Sequence, residues 1–171
     1  MEEIQSATKS WYAVYTRPRF EKRVYTELVN DDIEAYLPLQ KTLRQWSDRK
    51  KMVEIPLLPS YVFVHISLLE YLKVLQTDGI VKYISFEGQA VSIPEKQINT
   101  LKLLLDANSE IECTQQNFKK GQKVEVVLGS LKGLEGELVS HGKKKRFLVR
   151  INQINQNLLV NIPANYLKIK D

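Results

Sequence analysis

The chain has 171 residues, of which 43 % are hydrophobic and 26 % charged, the balance of an ordinary folded protein of one domain or two small ones. No apolar run approaches the roughly 20 residues of a membrane-spanning helix, and the single cysteine, Cys113, excludes an internal disulfide or a cysteine metal cluster. The net charge of +5 is unevenly placed: residues 1–108 hold 14 basic and 14 acidic side chains, whereas residues 109–171 hold 11 and 6.

The start, MEEIQSATKS, is polar and acidic and is not expected to be a signal peptide. A cytoplasmic location with no membrane attachment is the simple expectation. The aromatic and β-branched run WYAVYT (11–16) predicts a strand. Pro18 suits the first turn of a helix. In the helix that follows, Phe20, Val24 and Leu28 recur every four residues, with Arg19, Lys22 and Arg23 off that face. Residues 34–39 (EAYLPL) predict a second strand, and residues 41–57 two arms around a polar tip, Ser47–Lys51.

YVFVHI (61–66) is the plainest strand. Its two-residue period puts Val62, Val64 and Ile66 on one face and Tyr61, Phe63 and His65 on the other. Ser67 and Glu70 have the spacing of a capping box opening a short helix to about Gln76. A strand over 80–86 follows, then a turn at Glu87-Gly88. A second capping-box spacing, Ser92 to Glu95, opens a helix with Ile98, Leu101, Leu104 and Leu105 as its stripe. The order β-α-β-β-β-α-β-β-α predicts an α+β sandwich, an antiparallel sheet flanked by helices, over residues 1–107. Residues 108–118 are polar and aperiodic and read as a linker. Over 119–171, five short strand candidates separated by turn residues predict a small β-barrel.

Four of the seven glycines fall within residues 121–139. The spacing from Gly129 to Gly133 to Gly136 fits neither a P-loop nor a dinucleotide fingerprint, and a strand follows rather than a helix. Gly129 and Gly133 bracket a loop where positive φ is expected. Gly136 sits inside the next strand, where a missing side chain permits a bend or close approach. Neither His65 nor His141 has a ligand-type or triad-type setting in the sequence, and both read as structural or surface histidines.

The segment Val126–Val139 resembles a KOW motif, found in SH3-like barrels of ribosomal proteins and of NusG transcription factors. WYAVYT, the basic helix after it, Ile55-Pro56-Leu57-Leu58-Pro59-Ser60-Tyr61-Val62-Phe63-Val64 and Asp78-Gly79-Ile80-Val81 together resemble the NusG N-terminal domain. Leu58 and Ser60 depart from the family's usual Phe and Gly. Leu37-Pro38-Leu39 and Arg44–Lys51 are most similar to specialised paralogues of the RfaH and UpxY type, antiterminators of long operons. The resemblance implies a NusG N-terminal (NGN) domain over 1–107 and a KOW domain over 119–171.

It further implies no catalytic site, no metal and no cofactor. RNA polymerase is the implied partner, its clamp helices received in an apolar depression formed by Tyr15, Leu58, Pro59, Tyr61, Phe63 and Phe86. From the residues alone, Tyr61 and Phe63 read as a second core layer under a helix; the resemblance is what favours a docking surface. Arg17, Arg19, Lys22 and Arg23, with Arg44, Arg49, Lys50 and Lys51 on the hairpin, are implied contacts to DNA near the transcription bubble, the non-template strand among them; solvated surface charge is the plain alternative. Trp46 could stack on a base or simply pack. The barrel is the implied tether to a ribosomal protein or a termination factor. The β-branched runs VEVV, FLVRI and LLVN favour strands, so no helical refolding of the barrel is expected. The competing expectation is a KOW-barrel RNA-binding protein of the ribosome or its assembly.

Overall fold

The computed structural model describes residues 8–170. Most of the stretch read as lacking a signal peptide lies outside them. The chain divides into two compact units, residues 1–98 and 99–171.

The first unit is built on β1 (Ser10–Thr16), β2 (Glu34–Tyr36), β5 (Tyr61–Ile66) and β6 (Ile80–Tyr83), joined in the order β2-β5-β1-β6, with the two-residue β9 (Ser92–Ile93) also paired to β1. All pairs are antiparallel, and the β1–β5 register sets Tyr15 opposite Tyr61, Ala13 opposite Phe63 and Trp11 opposite His65. Two ribbons stand outside this sheet: β3 (Leu39–Gln45) with β4 (Lys50–Pro56), and β7 (Ser85–Phe86) with β8 (Gln89–Ala90). The helices are α1 (Glu21–Asn30), α2 (Tyr71–Leu75) and α3 (Glu95–Asp106); the division between the units falls inside α3.

One face of the sheet forms the core of this unit. Val14, Val62, Val64 and Ile66 cluster with Val24 and Leu28 of α1 and Val74 of α2. The four-residue spacing in α1 is what aligns Val24 and Leu28, both fully buried, with Phe20 packed against the cluster's edge. The helix starts later than its Pro18 suggests. Arg17–Phe20 form a turn in which Arg19 has φ 68°, and regular helix begins at Glu21. Two expected strands are each interrupted. Pro38 has no N–H to donate, so residues 34–39 split between β2 and β3, and residues 80–86 split at Ile84 between β6 and β7. The capping box at Ser67 forms as read: the Glu70 carboxylate accepts the Ser67 N–H at 2.9 Å and its hydroxyl at 3.1 Å.

The second unit holds β10 (Ile111–Thr114), β11 (Gln122–Val126), β12 (Glu135–His141), β13 (Lys144–Ile151), β14 (Gln156–Val160) and β15 (Leu167–Ile169). They form a six-stranded antiparallel sheet in the order β10-β14-β13-β12-β11-β15; this ladder is open, with β10 and β15 at its ends. Five strands were expected. The sixth, β10, occupies the stretch read as linker, where buried Ile111 pairs with Val160. Its alternation (apolar Ile111 and Cys113 against Glu112 and Thr114) is too short to register as a pattern in a polar stretch. Val139, Leu148 and Leu159 make a core cluster, with Phe118 packed against it.

Gly129 and Gly133 have φ of 81° and 88°, so the loop between β11 and β12 does use the left-handed region. Gly136 serves a different need. A Cβ there would lie 2.5 Å from the Phe147 ring and 2.7 Å from the Leu148 carbonyl oxygen, so the bare backbone is what lets β12 lie under Phe147.

Candidate functional site

The β1–β5 register brings three of the six expected docking residues, Tyr15, Tyr61 and Phe63, to one face, with Leu58 and Pro59 in the turn just before β5. The rings of Tyr15 and Tyr61 meet edge to face at 5.5 Å, and both side chains are half-buried. Pro59 is exposed in the preceding turn, and Phe86, on the β7–β8 ribbon, is 70 % exposed. Phe63 and Leu58 behave differently. Both are 0 % exposed, and Phe63 stacks on Tyr36 at 6.3 Å. The expectation that all six residues line an open depression is therefore corrected: Phe63 and Leu58 are core side chains, and Tyr15, Pro59, Tyr61 and Phe86 carry the accessible surface. The neighbouring Trp11 and Ala13, at 5 % and 0 % exposed, show that this second face of the sheet is covered at its centre.

The turn before β5 is held from three sides. Ser60 donates its N–H to the buried Glu21 carboxylate at 2.7 Å, Thr16 donates its N–H to the Ser60 carbonyl at 2.9 Å, and Tyr61 donates to the Leu58 carbonyl at 3.2 Å. His65, which has no acidic neighbour in sequence, gains one through the β2–β5 pairing: its Nδ1 lies 2.7 Å from a Glu34 oxygen while its ring stacks on Trp11 at 4.9 Å.

The first basic cluster is partly neutralised. Arg17 and Arg23 both reach the Asp78 carboxylate, Arg23 at 3.0 Å, and Arg23 also binds Glu27 at 2.9 Å. Both guanidinium groups lie against the Phe20 ring, at 4.4 and 5.5 Å from its centre. The hydrogen bond that Arg23 donates to the Glu27 carboxylate raises the arginine's pKa further, so its charge is permanent. Sequence reasoning missed Asp78 and Phe20 as the parts that fix these arginines. The Asp78-Gly79 turn was the available signal, since its Gly79 carbonyl accepts the Arg17 N–H at 2.8 Å.

Lys22 leaves that group: its ammonium donates to the Glu54 carbonyl of β4 at 2.7 Å. Lys22, Lys41 and Lys51 then line one depression of about 470 Å³ with Met52, Val53 and Glu54, which links the helix cluster to the hairpin. On the hairpin, Arg44 faces Lys51 and Gln45 faces Lys50 across the strands. Arg19 and Arg49 are exposed. Leu43, Trp46 and Met52 are each more than half exposed beside these charges. Like charges set directly opposite each other weaken a hairpin, so the ribbon presents a basic, partly apolar surface at some cost to its own stability.

In the second unit, His141 approaches Glu112 at 3.5 Å and packs against Phe118. Gly142, at φ 61°, and Lys143 form the turn between β12 and β13, and Lys144–Arg146 already belong to β13, with His141 opposite Lys144. Cys113 is half-buried, its thiol donating to the Gln156 side chain at 3.1 Å, and burial pushes its pKa up to about 11. Among the described residues no group of three His, Cys, Asp or Glu could hold a metal ion, and no helix is long and apolar enough to cross a membrane.

Residues 9–102 match the family described as transcription termination factor NusG. Among solved structures, the chain is similar to one described as domain interaction in Thermotoga maritima NusG, at 19 % identity and a TM-score of 0.57, covering 96 % of this chain and 98 % of that one. It also aligns with the MjSpt4:Spt5 complex in conformation B, at 16 % identity and a TM-score of 0.32, covering 94 % and 99 %. No curated protein matches the sequence. The family match takes in every strand of the first unit's sheet and spans more than half of the 171 residues, and the chain belongs to the NusG family.

Proposed function

We propose that this chain is a transcription elongation and antitermination factor. It docks on the clamp helices of bacterial RNA polymerase through its N-terminal unit and suppresses pausing or termination by favouring one clamp state, without catalysis. The observation that carries the reading is the family match over residues 9–102, which contains the Tyr15–Tyr61 pair, exposed Phe86 and the basic hairpin. Tyr15, Pro59, Tyr61 and Phe86 supply the contact surface, with Phe63 and Leu58 as its buried floor. Arg19, Lys22, Arg44, Arg49, Lys50 and Lys51 face DNA near the transcription bubble, and Arg17 and Arg23, braced by Asp78, shape that surface.

The same reading takes residues 1–107 as the NGN domain, 108–118 as a connecting segment and 119–171 as a KOW-type barrel that tethers a ribosomal protein or termination factor. The glycine geometry at Gly129, Gly133 and Gly136 supports the barrel. Similarity of Arg44–Lys51 to RfaH- and UpxY-type paralogues supports service to one long operon.

Affinity purification of the tagged chain tests this. Polymerase subunits are expected to co-purify, and to be absent with Tyr61→Ala. Recovery of ribosomal RNA without polymerase overturns the reading in favour of a ribosomal role. Crosslinking across the genome then separates a factor confined to one operon from one present on all.

A further inference from the structure

Resting on the docking reading above, we propose that Glu21 is a positioning residue for the polymerase-facing surface: its buried carboxylate holds the Pro59–Ser60 turn and so sets where Pro59 and Tyr61 stand. Glu21 is 6 % exposed. A carboxylate so far from water persists only with compensating partners. One is the N-terminal end of the ten-residue α1, whose first residue it is and whose dipoles favour negative charge there. The other is the Ser60 N–H at 2.7 Å.

Ser60 needs that partner more than most residues would. It has φ 65°, a conformation disfavoured for any residue with a Cβ, and is 7 % exposed. Such a conformation survives where its surroundings over-determine it. Of the three hydrogen bonds around the turn, two are backbone to backbone and Glu21 supplies the third. Tyr61 follows Ser60 directly, and its ring position against Tyr15 depends on the direction in which the chain leaves the turn. Removing the carboxylate strands a buried N–H and lets Ser60 relax toward negative φ, which re-aims Tyr61.

The test uses the full chain, hydrogen exchange and binding to purified bacterial core RNA polymerase. Glu21→Ala is expected to speed exchange of the Ser60 amide, leave the β5 amides of Val62 and Val64 unchanged, and weaken polymerase binding by about tenfold. Glu21→Gln, which keeps a carbonyl acceptor, restores both. Adding Ser60→Gly to Glu21→Ala recovers part of the binding, because glycine adopts φ 65° without steric cost. Uniform acceleration across β5, wild-type binding by Glu21→Ala, or failure of Glu21→Gln overturns the assignment. A wild-type chain that does not bind polymerase overturns the docking reading instead, and the Ser60 exchange rate still decides whether Glu21 sets the turn.

Discussion

Arg150 on β13 grips the Glu137 carboxylate on β12 at both oxygens, Nε to Oε1 at 2.8 Å and Nη2 to Oε2 at 3.1 Å. The same guanidinium donates to the carbonyls of Phe118 and Lys119, and Glu137 accepts the Gly121 N–H at 2.8 Å. One ion pair thus ties the segment entering β11 to the sheet. The Arg150 hydrogen bonds, ahead of the Gly121 N–H, hold the Glu137 carboxyl below its ordinary range. A carboxylate with a depressed folded-state pKa adds stability above its unfolded value of about 4.3, and that stability disappears as pH falls through the lower folded value. Glu137→Gln should lower stability at pH 7 by about 1–3 kcal/mol and flatten the acid side of the stability profile. Urea denaturation at pH 7 and at successively lower pH measures both; equal stability at pH 7 would show that the pair contributes nothing net.

Burial separates two neighbouring aromatic residues of β5. Phe63 is fully buried and Tyr61 half-buried. Phe63→Ala should cost about 3–5 kcal/mol, since it opens a cavity among close-packed groups. Tyr61→Ala should cost under about 1.5 kcal/mol while removing polymerase binding. Thermal melts of the two variants beside a pull-down check this. A Phe63→Ala chain as stable as wild type would mean that the pocket is already open.

Much of this fold can be read from spacing. The four-residue period of Phe20, Val24 and Leu28 and the two-residue period of Tyr61–Ile66 each produce the face they imply. What spacing could not show is how distant segments meet. Glu34 reaches His65 through strand pairing, Asp78 meets Arg17 and Arg23 across 61 and 55 positions, and Glu21 meets Ser60 across 39. Nor does a strand's alternation say what covers its second face; for Phe63 the residues alone favour core, the resemblance favours a docking surface, and the side chain is buried. Strand β10 was hidden because an edge strand of four residues needs only one well-buried anchor, Ile111.

The glycines of the second unit should differ in kind. At Gly136 the obstacle is space: an added Cβ meets the Phe147 ring and the Leu148 backbone. At Gly133 nothing lies within 4 Å, and the obstacle is φ 88° alone. Gly133→Ala should cost about 1–2 kcal/mol, and Gly133→Asn less, since Asn tolerates that region. Gly136→Ala should cost at least as much as the worst overpacked cores, about 3 kcal/mol, and Gly136→Asn more still. Chemical denaturation of the four variants would expose an error if asparagine helped equally at both sites.

Arg44 opposite Lys51 yields a prediction in which stability and binding move apart. Each lies on an exposed two-stranded ribbon, and neither strand pairs with the main sheet. Lys51→Glu converts a repulsive cross-strand pair into an attractive one, which should stabilise the chain by about 0.2–1 kcal/mol. If the ribbon touches DNA phosphates, the same change removes one cation and adds an anion. Affinity for single-stranded DNA should then fall, with the slope of log affinity against log salt shrinking by about 0.7 for each phosphate no longer neutralised. Arg23→Glu gives the contrast: Arg23 is bound to Glu27 and Asp78, so its reversal should destabilise the turn around Phe20 and disturb binding only through that destabilisation. Melting temperature and fluorescence anisotropy over a salt series read both quantities on the same samples. If Lys51→Glu stabilises the chain and leaves the salt slope unchanged, the hairpin charges are bystanders, and the exposed Trp46 and Leu43 at the same tip would then be its reason for standing clear of the sheet.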